Sequence, residues 1–150
     1  MLFLPDLNVW IALSSTTHRH HTDAWQWFNQ LPANARMFFC RPTQLGLLRL
    51  LTNRHVMGED TLTLRKAWDV YDQWITDPRV DSYPEPRGLD PVFRELTAPF
   101  AAKPATNAVV DCYLLAYAKQ TAATLVTFDR DLHQLALAHD CASVIPAAEI

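Results

Sequence analysis

The sequence contains few of the residues and segments that mark several protein classes. Its 150 residues include only 3 Gly and 3 Cys, which argues against a low-complexity, collagen-like or disulfide-stapled chain. The cysteines lie in apolar surroundings and no two have the spacing of a zinc site, so we predict buried, reduced thiols. No apolar run approaches the length of a membrane span, and no basic leader precedes one. The sequence therefore predicts a cytoplasmic protein without a membrane segment.

An excess of positive charge is also missing. The chain carries 13 basic and 16 acidic residues, which gives a formal net charge of -3 at pH 7. The overall positive field that is typical of a nucleic-acid binder is therefore absent, although a local basic rim could still contact phosphates. Hydrophobic residues make up 49% of the chain, enough to bury a real core. We predict a single domain over residues 1–150.

Short apolar segments alternate with segments of helical periodicity along the chain. This alternation predicts an α/β fold with three layers, α/β/α, around a mostly parallel sheet of about five strands. Thr22 and Asp90 are predicted N-caps, and Leu64, Trp68, Tyr71 and Ile75 form an apolar stripe that we expect to face the core. Strands are predicted at 2–6, 36–40, 79–83, 123–128 and 142–146, and the clearest helices at 22–31, 42–53, 60–76, 106–120 and 130–140.

Three acidic residues stand out against apolar surroundings. Asp6 and Asp129 each follow a predicted strand, and the carboxyl ends of parallel strands are where such sheets bind ligands. Asp111 lies early in an otherwise apolar helix, within reach of the same edge. Three converging carboxylates repel one another, and Mg²⁺ or Mn²⁺ with its preference for oxygen ligands would remove that repulsion. Such a metal suits phosphodiester cleavage, because it lowers the pKa of a bound water.

Three segments resemble motifs of a known family. The segments "PDLNVWIAL", "DCYLLAYA" and "LVTFDRDL" are similar, in this order, to the first, third and fourth motifs of the PIN-domain nucleases, and within them of the VapC-type toxins of bacterial toxin–antitoxin modules. The resemblance implies that Asp6, Asp111 and Asp129 are the metal-binding acids. It further implies that Asn8 and Thr127 support the site and that Asp131 is an additional acid.

The second motif of the family is only partly present. The family places a Glu in the helix after the second strand, and this chain has Gly46 there, in "TQLGLLRLL". A glycine within a helix costs roughly 1 kcal/mol relative to alanine, so we expect a neighbouring group to approach Gly46 closely. Thr43 shares the Gly46 face and is a candidate supporting residue. Candidate contacts to RNA phosphates are Arg49, Arg54 and Arg130.

The resemblance also implies an activity and partners. It implies a divalent-metal-dependent endoribonuclease whose substrate is a structured RNA such as tRNA or rRNA. It implies a cognate VapB-type antitoxin and a homodimer, with contact surfaces on the two early helices and the segment 68–74.

The same residues also allow other interpretations. Without the Glu, the chain could be a PIN module that binds RNA or a protein without cleaving it. A phosphoacceptor receiver domain shares the alternating architecture, but it needs paired acids after the first strand and a Lys after the fifth, and only Asp6 fits. Individually, Asp6 could be a strand-end cap and Asp131 an N-cap or first-turn acid. The tract "HRHH" (18–21) is predicted to be a solvated loop.

Overall fold

The computed structural model describes residues 1–147, so positions 148–150 of the predicted domain lie outside the described residues. All five strands are parallel, in the spatial order β3-β2-β1-β4-β5. The strands are β1 (Leu2–Pro5), β2 (Arg36–Phe39), β3 (Val80–Ser82), β4 (Thr124–Val126) and β5 (Ser143–Val144). The α-helices are α1 (Leu7–Ser14), α2 (His21–Gln30), α3 (Arg41–Leu51), α4 (Arg54–Met57), α5 (Leu64–Thr76), α6 (Leu89–Thr97), α7 (Thr106–Thr121) and α8 (Arg130–Ala138).

The sheet has a hydrophobic core on each face, as the predicted three-layer α/β/α architecture requires. Successive residues of a strand point to opposite faces, so Phe38 and Phe39 of β2 enter different cores. Phe39 packs with residues of α1, α2, α3 and α5, whereas Phe38 packs with residues of α6, α7 and α8. The mostly apolar character of the central strands β1 and β2 follows from this double burial. The predicted fold class is confirmed.

Two predicted helix starts are wrong. Helix α2 begins at His21 with His20 at the N-cap, so Thr22 lies inside the first turn. Helix α6 begins at Leu89 after Gly88, whose φ of 76° is left-handed, so the helix starts two residues earlier than it would after an Asp90 cap. Asp90 instead pairs with Arg94 at 2.7 Å.

Helix α5 differs from its prediction in start and orientation. It begins at Leu64 after a Thr63 N-cap, because residues Gly58–Asp60 form a separate 3-10 turn. Tyr71 is buried, but Leu64, Trp68 and Ile75 are 58%, 41% and 37% exposed. The predicted stripe therefore reaches the core only at its edge, since Ala67 and Tyr71 are the buried residues of this helix.

Other features agree with the sequence. Helix α3 carries Pro42 in its first turn, where a missing N–H costs nothing. Cys40, Cys112 and Cys141 are buried free thiols, as predicted. Within residues 1–147, no helix combines the length and apolar character needed to cross a membrane.

Candidate active site

The carboxyl ends of β1 and β4 meet at the centre of the sheet. Pro5 and Val126 are register partners, and the backbone N–H of Asp6 donates to the Val126 carbonyl at 2.8 Å. Asp6 begins α1 as its N-cap, and Asp129 begins α8 as its N-cap. Two acids that are 123 positions apart in the sequence are thus brought to one edge by strand pairing.

The Asp6 carboxylate is held by two hydrogen bonds. The backbone N–H of Leu7 donates to Oδ1 at 2.7 Å, and the hydroxyl of Thr127 donates to Oδ2 at 2.9 Å. Burial raises the pKa of Asp6 above its ordinary value, the two hydrogen bonds oppose that rise, and the charge of Asp129 adds to it. Asp6 therefore fills the role of a strand-end cap and still faces a second carboxylate.

Thr127 organises the space between the two acids. Its side chain is fully buried, and its hydroxyl oxygen accepts from Asn8 Nδ2 at 3.2 Å and from the Asp129 backbone N–H at 3.0 Å. Asn8 in turn accepts the backbone N–H of Phe128 through Oδ1 at 3.2 Å. The structure thus places Asn8 and Thr127 in direct contact with the segments that carry Asp6 and Asp129.

Asp129 is fixed by the first turn of α8. Its Oδ1 accepts the backbone N–H groups of Asp131 at 2.9 Å and Leu132 at 3.2 Å, the usual N-cap pattern. Asp131 is exposed in that first turn and is therefore the first-turn acid rather than the N-cap.

Asp111 joins the other two acids from α7. Burial raises its pKa to about 6, and the charges of Asp6 and Asp129 contribute to the rise. Asp111 therefore lies within electrostatic range of both other acids. Asp111 and Asp131 line one side of a cleft of about 580 Å³, whose apolar wall includes Phe100 and Leu135.

The donor chemistry of this acidic cluster suits a hard divalent cation. Carboxylate oxygens are the ligands that Mg²⁺ and Mn²⁺ prefer, and a cation would relieve the repulsion that adds to the effect of burial on the pKa values of Asp6 and Asp111. Across residues 1–147, however, no three His, Cys, Asp or Glu side chains already stand as a complete metal-binding group. A cation here would need side-chain movement or water to complete its coordination.

Gly46 marks the place where α3 crosses α1. A Cβ atom built on Gly46 would lie 2.5 Å from Leu7 Cδ2, far inside van der Waals contact. The predicted close approach to Gly46 is therefore confirmed, and the neighbour is Leu7, the residue after Asp6. The position that holds a Glu in the resembled family faces an apolar side chain in this protein.

The remaining predicted residues are one threonine at the start of α3 and three exposed arginines. Thr43 is buried, donates to the Cys40 carbonyl at 3.0 Å and accepts from the Cys40 backbone N–H at 3.1 Å, so it stabilises the start of α3. Arg130 is exposed immediately after Asp129. Arg49 and Arg54 are also exposed, but Arg54 lies beyond the end of α3, an 11-residue helix about 16 Å long.

One feature of the site was not anticipated from the sequence. The imidazole of His20 stacks on the ring of Phe128, with centroids 4.3 Å apart and planes 8° from parallel. Both residues line a cleft of about 500 Å³ beside Asp129. The histidine tract was predicted only as a solvated loop, and nothing in the sequence pairs it with a residue 108 positions away.

The chain is similar to proteins of a known family. The family model described as PIN domain matches residues 3–137. The chain belongs to the PIN-domain family. Its relatives include Ribonuclease VapC41 of Mycobacterium tuberculosis, 38% identical over 132 residues that cover 85% of this chain and 89% of the relative. Ribonuclease VapC39 of the same organism is 30% identical over 142 residues, covering 88% and 91%.

Solved structures share the fold of this PIN domain. VapBC2 from Rickettsia felis, bound to a DNA fragment from its promoter, superposes with a TM-score of 0.70 at 12% identity. VapBC-1 from nontypeable Haemophilus influenzae gives a TM-score of 0.69 at 16% identity. Each match covers 97% of this chain and 98% of the other, so the shared fold extends over nearly all of both chains.

Proposed function

We propose that this PIN domain is a divalent-metal-dependent endoribonuclease of the VapC type. The observation that carries the proposal is the meeting of Asp6, Asp111 and Asp129, from three separate elements, at one edge of the sheet. Burial and the charges of neighbouring acids both raise the pKa values of Asp6 and Asp111, and perturbed carboxylates of this kind are typical of functional sites. The two similar proteins from Mycobacterium tuberculosis are named ribonucleases, which supports RNA as the substrate.

The side chains divide the work at this site. Asp6, Asp111 and Asp129 would hold Mg²⁺ or Mn²⁺, and Asp131, in the first turn of α8 after Asp129, would contact the ion through water. Thr127 and Asn8 orient Asp6 and the segment before Asp129 through their hydrogen bonds. Such fixed supports commonly preserve the geometry of metal ligands. The metal, when bound, supplies charge stabilisation at the scissile phosphate and a water of lowered pKa.

Purified protein provides the direct test. We expect cleavage of a tRNA pool or of rRNA fragments in Mg²⁺ or Mn²⁺ and none in EDTA. Asp6→Asn and Asp129→Asn should each remove cleavage, because each replaces an anionic oxygen by an amide. Asp90→Asn is the matched control, since Asp90 is an exposed carboxylate that pairs with Arg94 and is not one of the three clustered acids. Cleavage that persists in EDTA or in both site variants would contradict the proposal.

The proposal includes partners and a location. We expect a VapB-type antitoxin that covers exposed apolar surface and blocks the acidic cleft, and the two VapBC structures that share the fold support such a pairing. We also expect a homodimer, for which the exposed side chains Leu64, Trp68 and Ile75 of α5 offer an apolar face. The free buried thiols fit a reducing, cytoplasmic setting.

A second candidate function follows from Gly46. With Leu7 occupying the space beside it, no acid enters the site from α3, and a PIN module with weakened metal binding could hold RNA or a protein without cleaving it. The cleavage assay separates the two candidates. RNA binding with no metal-dependent cleavage in either Mg²⁺ or Mn²⁺ would favour the second.

A further inference from the structure

The stacked pair His20 and Phe128 lies where the loop before α2 meets the carboxyl end of β4. Phe128 is the residue between Thr127 and Asp129, so its backbone is fixed by the same hydrogen bonds that order the acidic site. The backbone N–H of His20 donates to His18 Nδ1 at 3.1 Å, which orients the loop. Both rings are only partly buried.

The cleft beside this pair has the size to receive part of a nucleotide. Its volume of about 500 Å³ lies in the range of small-molecule sites. Its lining includes two exposed arginines, Arg19 and Arg130, and three acids, Asp23, Asp129 and Asp131. Aromatic surface, two guanidinium groups and a proposed metal ligand are thus combined within one concavity.

We propose that His20 and Phe128 form a stacking platform for an unpaired nucleobase of the RNA, next to the scissile phosphate, with Arg19 and Arg130 contacting the flanking phosphates. This inference rests on the proposed function for the identity of its ligand. Proteins that read RNA outside duplexes stack exposed bases on aromatic side chains and steady the backbone with arginines. A base in a duplex cannot present its face in this way, so cleavage is directed to loops, bulges or single strands of a structured RNA.

The competing explanation is that the stack only fastens the loop to the sheet. If the stack only fastens the loop, truncation of His20 should lower stability and should change the affinity for every ligand by the same factor. A base platform predicts a loss of affinity only for ligands that carry bases. The two can be separated by measuring how much of the affinity for RNA comes from its bases.

The test compares two ligands that carry the same backbone charge. One is a short single-stranded oligoribonucleotide of mixed sequence, and the other is an oligomer of equal length in which every nucleotide is abasic. Affinity is measured by fluorescence anisotropy in EDTA, so that no cleavage occurs. The quantity compared is the dissociation constant of the abasic oligomer divided by that of the oligoribonucleotide, a ratio in which phosphate contacts cancel. Stacking of one base typically changes affinity by about 5- to 100-fold.

We expect His20→Ala and His20→Leu to reduce that ratio by about 5-fold or more. His20→Phe should restore it, because the phenyl ring keeps a face for stacking without the imidazole nitrogens. His139→Ala is the matched control, since His139 lies at the far end of α8. His20→Leu keeps an apolar side chain against Phe128, so the test remains decisive even if the alanine variant loses stability.

The outcomes distinguish this inference from the proposed function. An unchanged ratio in His20→Leu, or no recovery in His20→Phe, would overturn the stacking platform even if the protein cleaves RNA. If the ratio falls and recovers as expected while no variant or wild type cleaves RNA, the platform stands and the endoribonuclease proposal fails.

Discussion

At the scale of single residues, the site depends on side chains that act on each other rather than on any acid alone. The hydroxyl of Thr127 is in contact with Asp6, Asn8 and the Asp129 backbone at once. Asp6 and Asp129 were identifiable from their places after apolar strands. Thr127 was identifiable only through the family resemblance, because a threonine at a strand end has no distinctive pattern of its own.

Thr127→Val should weaken both the site and the fold. The valine keeps the shape of the side chain but leaves Asp6 Oδ2, Asn8 Nδ2 and the Asp129 N–H without their partner. We expect about 1–3 kcal/mol of destabilisation from the unpaired groups and about a 10- to 100-fold slower cleavage. Chemical denaturation and initial cleavage rates check the two parts. Thr127→Ser keeps the hydroxyl and should retain most of the stability and of the cleavage rate. A fully active valine variant would show that the hydroxyl is not needed to position the site.

Asp111 should give the metal-free protein a characteristic pH dependence. Its pKa is about 6 in the folded protein and 3.8 ordinarily, so the folded state binds this proton more tightly than the unfolded chain. Stability due to this group is therefore greatest below about pH 4, falls as the pH rises towards 6, and is level above that value.

Asp111→Asn removes this dependence. In EDTA, we expect the variant to be more stable than wild type at pH 7 and the difference to shrink as the pH falls from 6 to 4, as measured by urea denaturation at each pH. Asp69→Asn, on the exposed face of α5, provides the matched control. A stability difference that is constant over this pH range would contradict the assignment.

At the scale of elements, the crossing of α1 and α3 explains why the second family motif departs from its usual form. Leu7 and Gly46 are in contact because α1 begins directly after β1 and α3 directly after β2, and β1 pairs with β2. The sequence indicated a close approach at Gly46 but could not name the partner, since the crossing point depends on the packing of two helices against the sheet.

Gly46→Ala should stabilise the fold only when Leu7 is shortened. In the wild type, overpacking against Leu7 offsets or exceeds the roughly 1 kcal/mol by which alanine favours a helix. In a Leu7→Ala background the contact is gone, so the same substitution should stabilise by about 1 kcal/mol. A double-mutant cycle by urea denaturation measures the coupling. Additive effects would mean that the two residues do not constrain one another.

At the scale of the whole molecule, the exposed face of α5 is the largest departure from expectation. Periodicity alone placed Leu64, Trp68 and Ile75 with Tyr71 on one apolar side, but the helix directs only part of that side inward. Hydrophobic periodicity identifies the apolar face of a helix, but it does not show whether that face is buried in the core or in an interface with a second protein chain. An apolar face of this kind is what an interface between copies would bury.

Trp68→Glu should convert the proposed homodimer to a monomer. A carboxylate in an apolar interface loses its hydration without a partner, which is costly. Size-exclusion chromatography with light scattering measures the mass. Lys66→Glu introduces the same side chain at an exposed position elsewhere on α5 and should leave the dimer intact. A wild-type monomer, or a dimer that survives Trp68→Glu, would remove this face from the proposed interface.

The α/β/α architecture, the apolar central strands β1 and β2 and the acids that follow β1 and β4 could be predicted from the sequence, because these depend on local composition and on the period of burial. Even the need for space at Gly46 could be predicted, since a glycine within a helix is locally unfavourable. The tertiary structure decided which groups meet: Thr127 with Asp6, Leu7 with Gly46 and His20 with Phe128. Such pairs join residues far apart in the chain, and their contact depends on strand order, register and helix crossing, which no local pattern encodes.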